Sequence, residues 1–389
     1  LLKNEDIMQT LEEVGFDAAI VDGISLTKYL FLIPHRLNIP IVTLSDGLEP
    51  WHARVSWLPS FCPLNVLPLT DNMNFFERLQ NFFFYIYLHR TGIAPPLPTD
   101  VFDAYSLYGA FNSPDDIIRK TQLWIMTSDP VLDYPKPYMP NMVASGGLAT
   151  KPAKPLDQQW GAIVEKAESI VLVSFGSMSS SFPKDISLRF LSTFSMLPHT
   201  VIWRFQNEDN LLIPDNVIIT NWLPQNDLMA QPKVRVFITH CGNNGQFEAL
   251  YHGVPMIGMP LHGDQYYNAQ RIPHKGFGRV VEFTKFAPEE LVAAVEEVIN
   301  NQTYRENIHR ASLMFHDRTE GPAERAVAAI EQFLRHGSVQ SHAVNMPLYQ
   351  FLMLDVLGFC ALVIVVFLVF LVWIVRFCLC KKQVKHKTQ

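Results

Sequence analysis

Residues 221–268 read NWLPQNDLMAQPKVRVFITHCGNNGQFEALYHGVPMIGMPLHGDQYYN. The apolar run Val234–His240 has the length and β-branched content of a buried strand, and it stops at Thr239 and His240. Cys241-Gly242-Asn243-Asn244-Gly245 then turns the chain into an apolar-patterned helix, GQFEALYHG, and VPMIGMP follows as a further strand. In open α/β sheets, ligands bind outside the carboxyl ends of strands. The unpaired amides opening a helix at Gly242–Gln246 suit an anionic phosphate, and the glycines let it approach the backbone closely. His240 and Asn244 add hydrogen-bond donors. Glu248, one turn along the helix, offers a carboxylate able to accept both hydroxyls of a ribose.

Working outward, the same alternation continues. SIVLVSFGS (Ser169–Ser177) is a strand, a helix spans Asp185–Met196, and TVIWRF and NVIITNW are strands. Helices follow at Pro288–Asn300, Thr303–Phe315 and Gly321–Arg335. Strands separated by helices at this spacing specify a doubly wound parallel sheet. Toward the N-terminus, FDAAIVD (Phe16–Asp22) and IPIVTLS (Ile39–Ser45) read as buried parallel strands, and the aromatic NFFERLQNFFFYIYLH (Asn74–His89) as a core helix first and otherwise as a surface that touches lipid or an apolar ligand. Pro and Gly cluster over Asp133–Leu156, a linker by composition, so the domains are placed at 1–145 and 146–345. No G-x-G-x-x-G follows the first strand and no P-loop occurs, so a nucleotide sugar fits better than a nicotinamide cofactor.

Val356–Val375 is twenty residues without a charge, enough to cross a hydrocarbon core as a helix. The basic tail, 376–389, carries Arg376, Lys381, Lys382, Lys385 and Lys387 without an acid. By the positive-inside rule it faces the cytosol, and everything before the span lies in a lumen or outside. Such a type I topology calls for a signal peptide, and LLKNEDIMQT is not one, so the sequence reads as a fragment lacking its start. At 48% apolar and 17% charged, with a net charge of −6 and no basic stripe outside the tail, the chain is not a nucleic-acid-binding protein. Of five cysteines only Cys62 and Cys241 precede the span; they are either bridged or two free buried thiols. No C-x-x-C or His cluster points to a metal.

The stretch resembles the signature of the UDP-glycosyltransferases, in particular the membrane-bound animal UDP-glucuronosyltransferase branch. The likeness extends through FDAAIVD, SDPVLDYPKPYMPNMVASGGL, FGSM, VIWRF, WLPQNDL, ITHCGNNG, EALYHGVP and GDQYYNA to the span and tail. It implies the GT-B architecture, two Rossmann-like domains facing across a cleft, plus the C-terminal transmembrane helix. It implies an inverting, metal-independent transfer of a hexose from a UDP-sugar, a co-substrate rather than a cofactor, to small lipophilic acceptors. By the same resemblance, Trp222 stacks on uracil while Gln225 and the Leu223 backbone read the base edge. Ser177 and Arg204 approach the nucleotide, and Thr239, His240, Gly242, Asn244 and Gly245 hold the diphosphate. Glu248 takes the ribose, and Asp264 and Gln265 take the sugar hydroxyls. Asp22 matches the Asp that orients a catalytic His, and that His belongs to a segment preceding this sequence, so transfer by the fragment is expected to be impaired.

Many glucuronosyl-transferring members carry an Arg where this chain has Thr127, which raises UDP-glucose as a donor beside UDP-glucuronic acid. The sequon at Asn301 and the terminal KHKTQ, similar to a dilysine retrieval signal, agree with the membrane of the endoplasmic reticulum. A second reading is a non-catalytic isoform that binds UDP-sugar or pairs with full-length subunits as a homo- or hetero-oligomer.

Overall fold

The computed structural model describes residues 2–23, 25–45, 50–91, 97–177 and 181–386. Met178 and Lys387, and the side chains of Cys378, Cys380, Lys381, Lys382 and Lys385, lie outside the described part. The chain divides into two compact units, Leu1–Gln340 and Ser341–Gln389.

Two parallel sheets build the first unit. One has four strands in the order β1 (Ala19–Asp22), β2 (Ile41–Ser45), β3 (Leu123–Met126) and β4 (Met142–Ala144). The other draws on β5 (Ile170–Ser174), β6 (Thr200–Arg204), β7 (Val217–Thr220), β8 (Val234–Thr239), β9 (Met256–Gly258) and β10 (Gly278–Val280). Its spatial order is β10-β9-β8-β5-β6-β7, the doubly wound arrangement with its reversal between β5 and β8. All of β5 is buried because both faces are covered. Ile170 and Leu172 enter one core with the helices Asn243–His252 and Gln302–His316, while Val171 and Val173 enter the other with Lys184–Ser195 and Pro288–Asn300.

Strands β3, β4 and β10 and the helix Gln265–His274 were not expected from the sequence. The strands are three or four residues long, too short for a period to show. The Pro-rich stretch from Asp133 also contains more than a connection, since it holds β4 and several buried side chains. The final helix of the unit, Pro322–His336, returns to the first sheet, where Ala326 and Phe333 pack with Val42, Leu123 and Ile125.

A second difference concerns the aromatic helix, Phe75–Thr91. It is not a core helix: only Asn81 and Leu88 are buried, and most of its Phe residues face solvent. Aromatic content alone did not decide between a core helix and an apolar surface.

The halves are joined by a buried ionic cluster. Asp133, wholly buried, accepts from Ser128 Oγ and Lys136 Nζ at 2.6 Å, from Tyr267 Oη at 2.7 Å and from its neighbour's amide, and it pairs with Arg271 at 3.2 Å. Arg271 also donates to Asn243 Oδ1 at 2.8 Å, and Asn243 Nδ2 donates to the Thr127 carbonyl at 3.0 Å. Thr127 follows β3 and Asn243 follows the turn after β8, so the carboxyl edges of the two sheets meet here.

Burial would raise the pKa of Asp133, but Arg271 and Lys136 outweigh it and hold the carboxyl well below the usual range. Its stabilisation is therefore complete above pH about 4 and is lost as pH falls through the lower folded-state value. Replacing Arg271 by Met leaves an uncompensated buried carboxylate and is expected to cost about 3–5 kcal/mol in chemical denaturation. Asp133→Leu combined with Arg271→Met is expected to cost less than the sum of the single changes.

The second unit contains the helix Leu354–His386. Its segment Leu354–Arg376 has a mean hydropathy of 3.2 and none of it is buried, so it is long and apolar enough to cross a membrane.

Candidate active site

The reversal between β5 and β8 leaves a crevice at their carboxyl ends, and a cavity of ≈ 710 Å³ opens there. That volume suits a small-molecule ligand of nucleotide size. Ten of the residues expected from the sequence line it: Ser177, Arg204, Trp222, Leu223, Gln225, His240, Gly242, Asn244, Gly245 and Glu248.

The floor of the site is the turn after β8. Cys241 is buried and adopts φ +67°, a left-handed conformation that costs a non-glycine residue energy. Its amide donates to Thr239 Oγ1 at 3.3 Å. The twist places the imidazole of His240 between two glycines. A Cβ on Gly176 would meet His240 Nε2 at 2.7 Å, and one on Gly242 would meet it at 2.5 Å. Gly242 then caps the Asn243–His252 helix without a side-chain acceptor for its first amides. A helix start left in this state is an anion site.

At the other end of the cavity Trp222 is 72% exposed, and the Arg204 guanidinium lies 5.4 Å from its ring centroid. Arg204 also donates to the carbonyls of Gly176 and Ser177 and, at 3.1 Å, of Asn221. It therefore braces the rim and presents the indole. Leu223 keeps its side chain in the core, and its carbonyl accepts from the Gln225 backbone amide at 2.9 Å. Gln225 Nε2 donates to Glu248. Burial raises the proton affinity of Glu248, opposed by that hydrogen bond and by Lys151.

Four expected residues lie outside the cavity lining. Thr239 is fully buried and supports the turn. Gln265 Oε1 accepts from the amides of Leu261 and His262 at 2.9 and 3.1 Å, and Asp264 accepts from Asn268 at 2.6 Å. Both stand at the start of the Gln265–His274 helix. Asp22 ends β1 on the other sheet, exposed. Thr127 is buried at the seam, where Oγ1 donates to the Ser45 carbonyl at 3.2 Å. Sequence reasoning missed Ala149 and Lys151, which reach the cavity from the connecting segment. Nothing in a Pro-Lys-rich run distinguishes a lining lysine from a solvated one.

Burial, reinforced by His262, lowers the pKa of His240 to about 4, so at neutral pH the imidazole is uncharged. Burial lowers that of His252 to about 4 as well, reinforced by His316. Because the folded values lie below the ordinary one, the stability tied to these two groups is complete above pH about 6.5 and is lost as pH falls toward 4. Imidazole NMR is expected to show His240 titrating near 4. Gly242→Ala, which drives a methyl into the ring, is expected to move that midpoint and weaken UDP binding at least tenfold by calorimetry.

Two parallel α/β sheets meeting edge to edge over such a cavity form the GT-B fold of glycosyltransferases. The forosaminyltransferase SpnP shares it, with a TM-score of 0.61 at 15% identity over 85% of this chain and 80% of its own. So does a UDP-glucosyltransferase from Polygonum tinctorium, with a TM-score of 0.59 at 15% identity over 85% of this chain and 78% of its own. The chain belongs to the UDP-glycosyltransferase family: the profile described as "UDP-glucoronosyl and UDP-glucosyl transferase" matches residues 1–389. Among curated relatives, UDP-glucuronosyltransferase 1-2 of Mus musculus is 36% identical over 95% of this chain and 71% of its own. UDP-glucuronosyltransferase 1A10 of Homo sapiens is 33% identical over 92% of this chain and 69% of its own.

Proposed function

We propose that the protein transfers glucuronic acid from UDP-glucuronic acid to a hydroxyl of small lipophilic acceptors, with inversion and without a metal. The observation that carries this is the single cavity joining an exposed indole, a ribose-sized carboxylate and an uncapped helix start. Uracil stacks on Trp222, the ribose hydroxyls replace Gln225 at Glu248, and the diphosphate meets the amides of Gly242–Gly245. As the bond from the anomeric carbon to the diphosphate oxygen breaks, charge grows on that oxygen, and the helix start and His240 stabilise it. Asp22 holds the group that takes the acceptor proton. Glucuronic acid is favoured as the sugar by the names of the mammalian relatives, and glucose by the absence of a guanidinium at Thr127. An endoplasmic reticulum membrane setting with the first unit lumenal is supported by the apolar helix Leu354–Arg376, the basic tail and the terminal KHKTQ.

Calorimetry with UDP-glucuronic acid and UDP-glucose tests the donor. Tighter binding of the glucuronate by tenfold or more is expected, and equal or reversed affinities would favour the glucosyl reading. Trp222→Ala is expected to lower UDP affinity by about 1–3 kcal/mol through lost stacking. If Trp222→Ala and Glu248→Gln both bind UDP as the parent does, the assigned pocket is wrong.

A further inference from the structure

Asn301-Gln302-Thr303 is the one Asn-X-Ser/Thr in the chain whose middle residue is not proline. It falls at the turn between the helices Pro288–Asn300 and Gln302–His316. Asn301 is the N-cap of the second: its Oδ1 accepts from the Thr303 amide at 3.1 Å, and its own amide donates to the Glu297 carbonyl at 2.9 Å. With Oδ1 so engaged, Nδ2 has no acceptor among the described residues. Asn300, Asn301, Gln302 and Thr303 are all exposed. The turn lies at the edge of the second sheet opposite the cavity. The segment leading into Pro288–Asn300 starts at the carboxyl edge, where Phe283 packs against Phe175, just beyond β5, with 5.4 Å between ring centroids. The end of that helix reaches the amino edge, where Glu296 pairs with His199, the residue before β6, at 3.1 Å. Its 13 residues span about 20 Å, so Asn301 stands a helix length from the crevice at the carboxyl ends of β5 and β8.

We propose that Asn301 carries an N-linked glycan, received from a lipid-diphosphate-linked oligosaccharide. The proposal rests on the reading of the first unit as lumenal. In the transfer, Asn301 Nδ2 bonds to the anomeric carbon of the sugar next to the carrier, and one Nδ2 proton passes to a base. The bond from that carbon to the diphosphate oxygen breaks, and the lipid diphosphate leaves with the electron pair. A glycan is bulky and stays hydrated, so a folded domain keeps one only where it meets no packed neighbour. Two features of the turn satisfy that condition. The reaction consumes only Nδ2, so Oδ1 still caps the Gln302–His316 helix through the Thr303 amide afterwards. The site also faces away from the nucleotide cavity, which the glycan therefore leaves open.

The test uses the protein expressed in a eukaryotic host and recovered in sealed membrane vesicles. Peptide N-glycosidase in heavy-oxygen water turns a glycosylated Asn into labelled Asp, which peptide mass spectrometry locates. Label at position 301 is expected in most copies. Thr303→Ala breaks the sequon but keeps the backbone amide that Asn301 caps, and it is expected to abolish the label. Thr303→Ser retains both sequon and cap and is expected to keep it. UDP-dependent thermal stabilisation shows that each variant is folded. Protease added outside the vesicles is expected to leave the first unit intact. A protected unit with Asn301 unmodified would overturn the proposal and leave the lumenal reading standing. Digestion of the unit from outside would bring down that reading, and the proposal with it. Enzymatic removal of the glycan from the folded protein is expected to leave UDP affinity as it was. A tenfold loss would overturn the glycan's placement away from the cavity.

Discussion

The buried pair of Asp133 and Arg271 is the constraint on which the rest of the first unit depends. Each member is costly to bury alone, and their attraction is useful only if the remaining hydrogen-bonding capacity is also met. Ser128, Lys136 and Tyr267 meet that of the carboxylate, and Asn243 takes up part of that of the guanidinium. Asn243 in turn reaches Thr127 beyond β3. One cluster therefore fixes the seam between the sheets and the first residue of the helix that lines the cavity. The seam and the helix start share one side chain, that of Asn243.

The site itself depends on a local conflict that the fold tolerates. Cys241 is held at positive φ, and His240 is wedged between Gly176 and Gly242 in a space that no other residue type would leave open. Strain of this kind is kept where it positions a group in advance. An uncharged imidazole avoids the cost of burying a cation at the start of the Asn243–His252 helix. It remains able to take a proton when negative charge arrives.

The sequence was most informative where chemistry and period coincide. The strand Val234–Thr239, the glycine turn and Glu248 were legible because a run of buried residues ends in residues with no packing role. Ten lining residues came from that logic and the family resemblance. Asp264 and Gln265 did not fall in the cavity lining, since their side chains are committed to Asn268 and the loop at 261–262. β3, β4 and β10 escaped notice because three or four residues cannot express a period. The role of Asp133 was hidden because an acid beside two prolines reads as a turn. The aromatic helix shows the limit most plainly. A run of Phe residues does not say which side is buried, and in the structure it is Asn81 and Leu88, with Leu88 and Tyr85 packed on Trp51 and Leu64, that face the protein.

The chain crosses between the sheets twice, outward through 145–157 and back through 317–321 into the Pro322–His336 helix. Arg318 on the returning segment pairs with Asp129 ahead of the outgoing one at 2.7 Å, and a Cβ on Gly147 would strike Phe315 at 2.7 Å. The two crossings are thus clamped side by side, like the stitched spine of a book. Two crossings held side by side resist the sliding of one sheet past the other in a way that a single strand of chain between them would not.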